Sequence, residues 1–184
     1  MICAIFLASG RSKRFAGQNK LLYEVEGAPM AERAFQCLPP DLTGLVVTGW
    51  EEVKALAHKY KNLTVVENRD GADDVAVTIR KGIAALPPEA DGAMFLVCDQ
   101  PWLTRESVGR LIAAFRKNPE QIHVLSHKDR SGNPCIFPKR FFPELSALPY
   151  NKGGKTVVRR HSDSVVYVEA LSARELDDVD VSPA

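Results

Sequence analysis

Two short runs of apolar residues constrain this chain more than anything else in it. Residues 2–8 (Ile-Cys-Ala-Ile-Phe-Leu-Ala) and residues 93–98 (Ala-Met-Phe-Leu-Val-Cys) are apolar at every position. A strand with one wet face alternates apolar and polar residues, whereas an unbroken apolar run of this length fits a strand buried on both faces. Further strands are expected at 45–48, 63–66, 122–126, 134–137 and 165–169. Between them lie segments with helical spacing: 29–38, with Pro29 at the first position, 51–60, 75–86, a helix capped by Thr104 and running to Lys117, 139–148 and 154–160. Residues 128–133 read as a loop. Strands alternating with helices predict an α/β fold with a mostly parallel sheet covered on both faces. Neither a repeat nor a dividing linker is visible, so residues 1–184 are expected to form one domain. In open sheets of this type ligands bind beyond the carboxyl ends of the strands, which singles out the loops after Ala8 and after Cys98.

Composition narrows the classes. The 24 basic and 23 acidic residues nearly cancel, which argues against a general nucleic-acid binder. No apolar stretch approaches the roughly 20 residues of a membrane span. The apolar start lacks a basic leader and runs into a polar loop, so it reads as a strand rather than a signal peptide. Cys3, Cys37, Cys98 and Cys135 are widely spaced, as expected of reduced, buried thiols in a cytoplasmic protein. His58, His123, His127 and His161 form no H-E-x-x-H pattern, so zinc is not expected.

The loop after the first strand carries Arg11, Lys13, Arg14 and Lys20 within ten positions, together with Gly10 and Gly17. Backbone N–H groups in a small-residue turn can cradle an anion, and a triphosphate needs such positive company. A Walker loop is excluded because the two glycines are seven apart and Leu21 follows Lys20. The dinucleotide fingerprint G-x-G-x-x-G also fails. Charge alone reads equally as a solvated basic loop; the position after a buried strand favours a site. Asp99, at the end of the second apolar run, is placed where a magnesium ion could bridge it to phosphate oxygens. Taken alone it reads more readily as a residue that makes a turn before Pro101.

Leu7, Ala8, Gly10, Ser12, Arg14, Phe15, Gly17 and Lys20 resemble the signature L-A-[AG]-G-x-S-x-R-[MF]-G-x-x-K, with one extra residue before Gly17 and Ser9 in place of Ala or Gly. That signature belongs to the nucleotidyltransferases acting on molybdenum cofactor and on sugars, the MobA-like NTP transferases. The resemblance implies a three-layer α/β/α, Rossmann-like nucleotide-diphospho-sugar transferase fold. It implies an enzyme with Leu7, Ala8, Ser9, Gly10, Arg11, Arg14, Lys20, Thr78 and Asp99 on the nucleotide. Lys20, Arg11 and Asp99 take the catalytic roles, and Asp99 with Asp180 of the acidic tail holds Mg2+. Cys98-Asp99-Gln100-Pro101 is nearest the cytidylyltransferase branch, which implies CTP as donor and molybdopterin as acceptor, with a molybdoenzyme as the further partner that would receive the product. GTP with the same acceptor, a sugar-phosphate acceptor, and a non-catalytic accessory protein for a molybdenum hydroxylase are the alternatives.

Three places depart from the family pattern. Asp74-Val75-Ala76-Val77-Thr78 stands where the branch has G-M-x-S-S, which leaves base choice open. Asn151-Lys152-Gly153-Gly154-Lys155 stands near G-D-K-G-[AG]-R, so Lys155 lacks Arg's flat fork; a plain helix start reads equally well there. Gly132-Asn133-Pro134 resembles the acceptor-side G-x-P. The tail is expected to be ordered only by docking.

Overall fold

The computed structural model describes residues 1–10, 19–69 and 74–180. Seven strands form one sheet in the order β5-β4-β1-β6-β8-β7-β9. They are β1 (Ile2–Leu7), β4 (Gly44–Thr48), β5 (Leu63–Glu67), β6 (Gly92–Val97), β7 (Ile122–His127), β8 (Arg130–Pro138) and β9 (Val165–Glu169). A separate two-stranded hairpin, β2 (Glu24–Val25) and β3 (Ala28–Pro29), turns through Glu26 and Gly27, both at positive φ. The helices are α1 (Met30–Gln36), α2 (Glu51–Ala57), α3 (Val75–Ala84), α4 (Arg105–Lys117), α5 (Phe142–Ser146) and α6 (Lys155–Arg160).

The all-apolar reading of β1 is explained by what its two faces meet. Ile2, Ala4, Phe6 and Ala8 join the core beneath α1, α2 and α4, where Phe35, Val53 and Leu111 pack. Cys3 and Ile5 join the opposite core with Ala76 and Ile79 of α3, Leu145 of α5 and Val157 of α6. Burial on both sides leaves no position for a polar side chain, and each large side chain so buried contributes about 1.5–3 kcal/mol. Gly82 lets α3 lie directly on β1, since a Cβ there would come within 2.5 Å of Ile5 Cγ2. The result is the expected three-layer arrangement.

β1 pairs in parallel with β4 on one side and β6 on the other. The chain goes outward from β1 to β4 and β5, then returns across it to β6. That reversal opens a crevice at the carboxyl ends of β1 and β6, and the register Leu7↔Val97 brings the two following loops side by side. β8 runs antiparallel to both β6 and β7, so the sheet is mostly, not wholly, parallel.

Two sequence expectations need correction. Residues 130–133 are not loop: β8 begins at Arg130, and β7 and β8 form a hairpin whose turn includes Lys128 at φ 53°. Ser131 is a poor strand former, and pairing of Arg130 and Ser131 with His127 and Ser126 overrides that local preference; Gly132 and Asn133 follow in an irregular stretch before the ladder resumes at Cys135. The β2–β3 hairpin was not anticipated, being only two residues long on each side. Elsewhere α1, α2, α3 and α5 end two or three residues before the expected bounds, α4 and α6 end at Lys117 and Arg160 as expected, and Pro29 lies just outside α1 as its N-cap. No helix among the described residues is long and apolar enough to cross a membrane. All four cysteines are free and buried.

Candidate functional site

Lys20 opens a short 3-10 turn, Lys20–Leu22, capped by the Asn19 side chain, which accepts from the Leu21 amide. That turn aims the Lys20 ammonium across the crevice. Its Nζ donates to Asp99 Oδ2 at 2.7 Å and to Asp180 Oδ1 at 3.4 Å. Residues separated by 79 and 160 positions in the chain thus converge on one point. Asp99 arrives from the end of β6. Asp180 arrives because the tail docks: the Val179 amide donates to the Asp99 carbonyl at 2.9 Å. Upstream, the buried Glu175 carboxylate accepts from Ser107 Oγ at 2.6 Å and from the Leu171 amide at 3.0 Å. Of the residues expected on the phosphates, Arg11 and Arg14 lie outside the described residues.

Electrostatics follow from this convergence. Burial works to lower the Lys20 pKa, but the hydrogen bonds and charges of Asp99 and Asp180 outweigh it, and the net shift is upward. Lys20 is therefore a permanent cation at neutral pH. Asp178, on the same tail, has its pKa raised, first by burial and then by the charge of Asp99; a hydrogen bond from the Gln100 side chain opposes the rise. The Cys98 thiol beside this site is pushed well above its ordinary value by burial and then by Asp99's charge. Cys135 is pushed up to about 12 by burial. Neither is a thiolate nucleophile at neutral pH.

The ends of β1 and β4 are locked together. Thr48 Oγ1 donates to the Ala8 carbonyl at 2.8 Å and accepts from the Trp50 amide at 3.1 Å. The Trp50 indole donates to the Gly10 carbonyl at 3.1 Å. Ser9 and Thr78, both expected on the nucleotide, turn their hydroxyls into the interior instead. Ser9 Oγ donates to the Val47 carbonyl at 2.8 Å. The Asn68 amide donates to Ser9 Oγ at 2.8 Å and to Thr78 Oγ1 at 3.1 Å. Leu7, Ala8 and Gly10 sit at the strand end as the spacing implied, with Ala8 buried and Gly10 exposed. The sequence reading missed Asn68, although its place at the carboxyl end of β5 was a usable signal. It also missed Gln100 as Asp178's partner.

Beside the Lys20–Asp99 pair lies a cavity of about 410 Å³. Its walls are apolar, with Leu7, Ile79, Phe95 and Val124. Its polar lining joins Gln100 and Asp178 to Arg130, Asn133 and Lys155. The two segments expected on the acceptor side, 132–134 and 151–155, thus contribute to one space next to the charged cluster. Arg130 is already engaged by Asp177 at 2.8 Å. Among the described residues no group of three or more histidine, cysteine or acidic side chains is arranged to enclose a metal ion.

The model of the MobA-like NTP transferase domain matches residues 4–165. A molybdenum cofactor guanylyltransferase of Cupriavidus pinatubonensis is 26% identical over 163 residues, which cover 85% of this chain and 79% of that protein. The purine catabolism protein PucB of Bacillus subtilis is 26% identical over 194 residues, covering 97% of this chain and 91% of that one. A nucleotidyl transferase from Methanothermobacter thermautotroptrophicus superposes with a TM-score of 0.82 at 18% identity, over 98% of this chain and 92% of that one.

Proposed function

This chain belongs to the MobA-like NTP transferase family and is a nucleotidyltransferase, and on that premise we propose that it moves CMP from CTP onto the phosphate of molybdopterin cofactor. The observation that carries the proposal is the convergence of Lys20, Asp99 and Asp180 at the strand ends, next to a cavity with room for a second substrate. An oxygen of the acceptor phosphate attacks the α-phosphorus of the triphosphate. The new P–O bond forms as the bond from the α-phosphorus to the bridging oxygen breaks, and pyrophosphate leaves with that electron pair. The attacking group is already an ionised phosphate, so no side chain has to remove a proton. Lys20, with Arg11 and Arg14, balances the negative charge that builds on the phosphates. Leu7, Ala8, Ser9 and Gly10 offer their backbone to the nucleotide, with Thr78 behind them.

The donor set suits magnesium, which favours one or two carboxylates completed by substrate phosphates over an all-protein cage. Asp99 and Asp180 already place their oxygens around one cation, the Lys20 ammonium. Magnesium held by Asp99 and Asp180 would supply charge neutralisation and polarisation of the phosphates. Gln100, the residue that favoured CTP, is buried and spends its amide on Asp178, so it acts on the tail. The names of the guanylyltransferase relatives favour GTP as the second reading. The 184 residues act as one domain, and the four buried free thiols support a cytoplasmic setting in which a molybdoenzyme receives the product.

Calorimetric titration with each of the four ribonucleoside triphosphates in magnesium, followed by pyrophosphate release on adding molybdopterin cofactor, tests this reading. CTP is expected to bind more tightly than the other three and to release pyrophosphate. Preference for GTP would replace the donor, and release of none would end the proposal.

A further inference from the structure

We propose that Asp74 is a positioning residue that ties the loop beside the acceptor cavity to the nucleotide-side strand end, an inference that rests on the substrate assignment above only for its kinetic consequence. Asp74 caps α3, yet a cap needs only one hydrogen bond, from Ala76. The same oxygen, Oδ1, accepts twice: from the Ala76 amide at 2.9 Å and from the Asn151 amide at 2.9 Å. The second bond spans 77 positions in sequence and is nearly out of water, Asp74 being 9% exposed. Asn151 sits in the left-handed region at φ 57°, where asparagine is among the few tolerated side chains, and this conformation presents its amide to Asp74. Two departures from the family pattern, Asp74 and Asn151, are therefore one feature.

What the tie holds is the lip of the cavity. Gly153, Gly154 and Lys155 follow Asn151 and line the cavity, and Val75, which follows Asp74, lines it beside Gly153. What the tie is anchored to lies inside. The Asp74 carbonyl accepts from the Thr78 hydroxyl at 3.3 Å. Thr78 Oγ1 accepts from the Asn68 amide, which also donates to Ser9 Oγ, and Ser9 in turn donates to Val47. Thr78, Asn68 and Ser9 are each 4% exposed or less. A continuous run of buried hydrogen bonds thus leads from the acceptor-side lip, across the first turn of α3, to the residue before Gly10. Such a run can transmit order because breaking any member strands a buried polar group.

Three variants separate the tie from the cap. Asp74→Asn keeps an oxygen at the Oδ1 position and retains both bonds. Asp74→Ser can cap α3 but is one atom too short to reach Asn151 as well. Thr78→Val breaks the run in its middle. In the protein alone, Asp74→Ser is expected to speed amide exchange at Asn151 on the order of tenfold or more, with Asp74→Asn within about twofold of the parent. Thr78→Val is expected to speed it severalfold from a distance. In turnover, Asp74→Ser raises the KM for molybdopterin cofactor about tenfold while the KM for the triphosphate and kcat move less than about threefold. Unchanged Asn151 exchange in Asp74→Ser, equal effects of Asp74→Ser and Asp74→Asn, or no response to Thr78→Val would each overturn the proposal. The exchange measurement needs no substrate, so a freed Asn151 amide without any transfer to molybdopterin would count against the acceptor and leave the tie standing.

Discussion

The two walls of the crevice are built in opposite ways. On one wall Lys20, Asp99 and Asp180 meet as ions, their side chains 16%, 25% and 64% exposed. On the other, Asp74, Thr78, Asn68 and Ser9 meet as a mostly neutral network almost sealed from water. A cation held between two carboxylates at the mouth of the crevice can exchange them for phosphates, which are equally charge-assisted partners. A buried polar network cannot open without stranding its members. The ionic wall is suited to chemistry and the buried wall to holding shape. The strongest challenge to this division is Asp99→Ala. Pyrophosphate release is expected to fall by about 10³-fold, with a stability loss of about 1–2 kcal/mol, since Lys20 keeps Asp180 as a partner. The tail stays docked, because Val179 bonds the Asp99 backbone rather than its carboxylate. Lys20→Ala is expected to behave alike. A turnover assay and a urea melt on the same sample read both quantities; near-normal turnover, or collapse of the fold, would break the comparison.

The opposite signature is expected at Asn68. It is fully buried, and its amide serves Ser9 and Thr78 together. Asn68→Ala leaves two hydroxyls without a donor and opens a small void, for a loss of about 2–3 kcal/mol. Triphosphate affinity of the folded fraction should drop less than about tenfold. A stability change below about 0.5 kcal/mol would show that the network does not hold the wall.

The walls also differ in how far the sequence announces them. The ionic wall is legible: an apolar run ending in Asp99 marks a strand end, and the spacing from Leu7 to Lys20 carries the family resemblance. Asp180 followed only from that resemblance, since nothing local says that the tail will be docked by Glu175 and Val179. The buried wall was visible solely as departures. Asp74 read as a missing glycine and Asn151 as a missing aspartate, because a hydrogen bond across 77 residues leaves no periodic trace. The start of β8 was hidden for the same reason: Ser131 has no strand preference of its own and is held by pairing with Ser126. The sheet was legible because burying both faces of β1 and β6 dictates their composition directly.

The smallest effect expected concerns the crowding of acids on the ionic wall. Burial and the charge of Asp99 raise the Asp178 pKa above its ordinary value, against the pull of Gln100 and Lys20. A carboxyl with a raised folded-state pKa binds its proton more tightly when folded. Its ionisation therefore costs stability, beginning as the pH rises past the unfolded value near 3.8 and complete above the folded one. Asp178→Asn removes the charge and keeps an acceptor for Gln100. It should raise stability at pH 7 by less than about 1 kcal/mol, since water screens the group, and the gain should vanish toward pH 3.5. The Lys20 shift has the other sign: its contribution is fully present below 10.5 and fades only above that, so it leaves this window flat. Melts of both proteins from pH 3.5 to 8 check the slope. A gain that persists at pH 3.5 would mean that Asp178 acts through shape and not charge. A loss at pH 7 would mean that its carboxylate is held by Lys20 more strongly than Asp99 repels it.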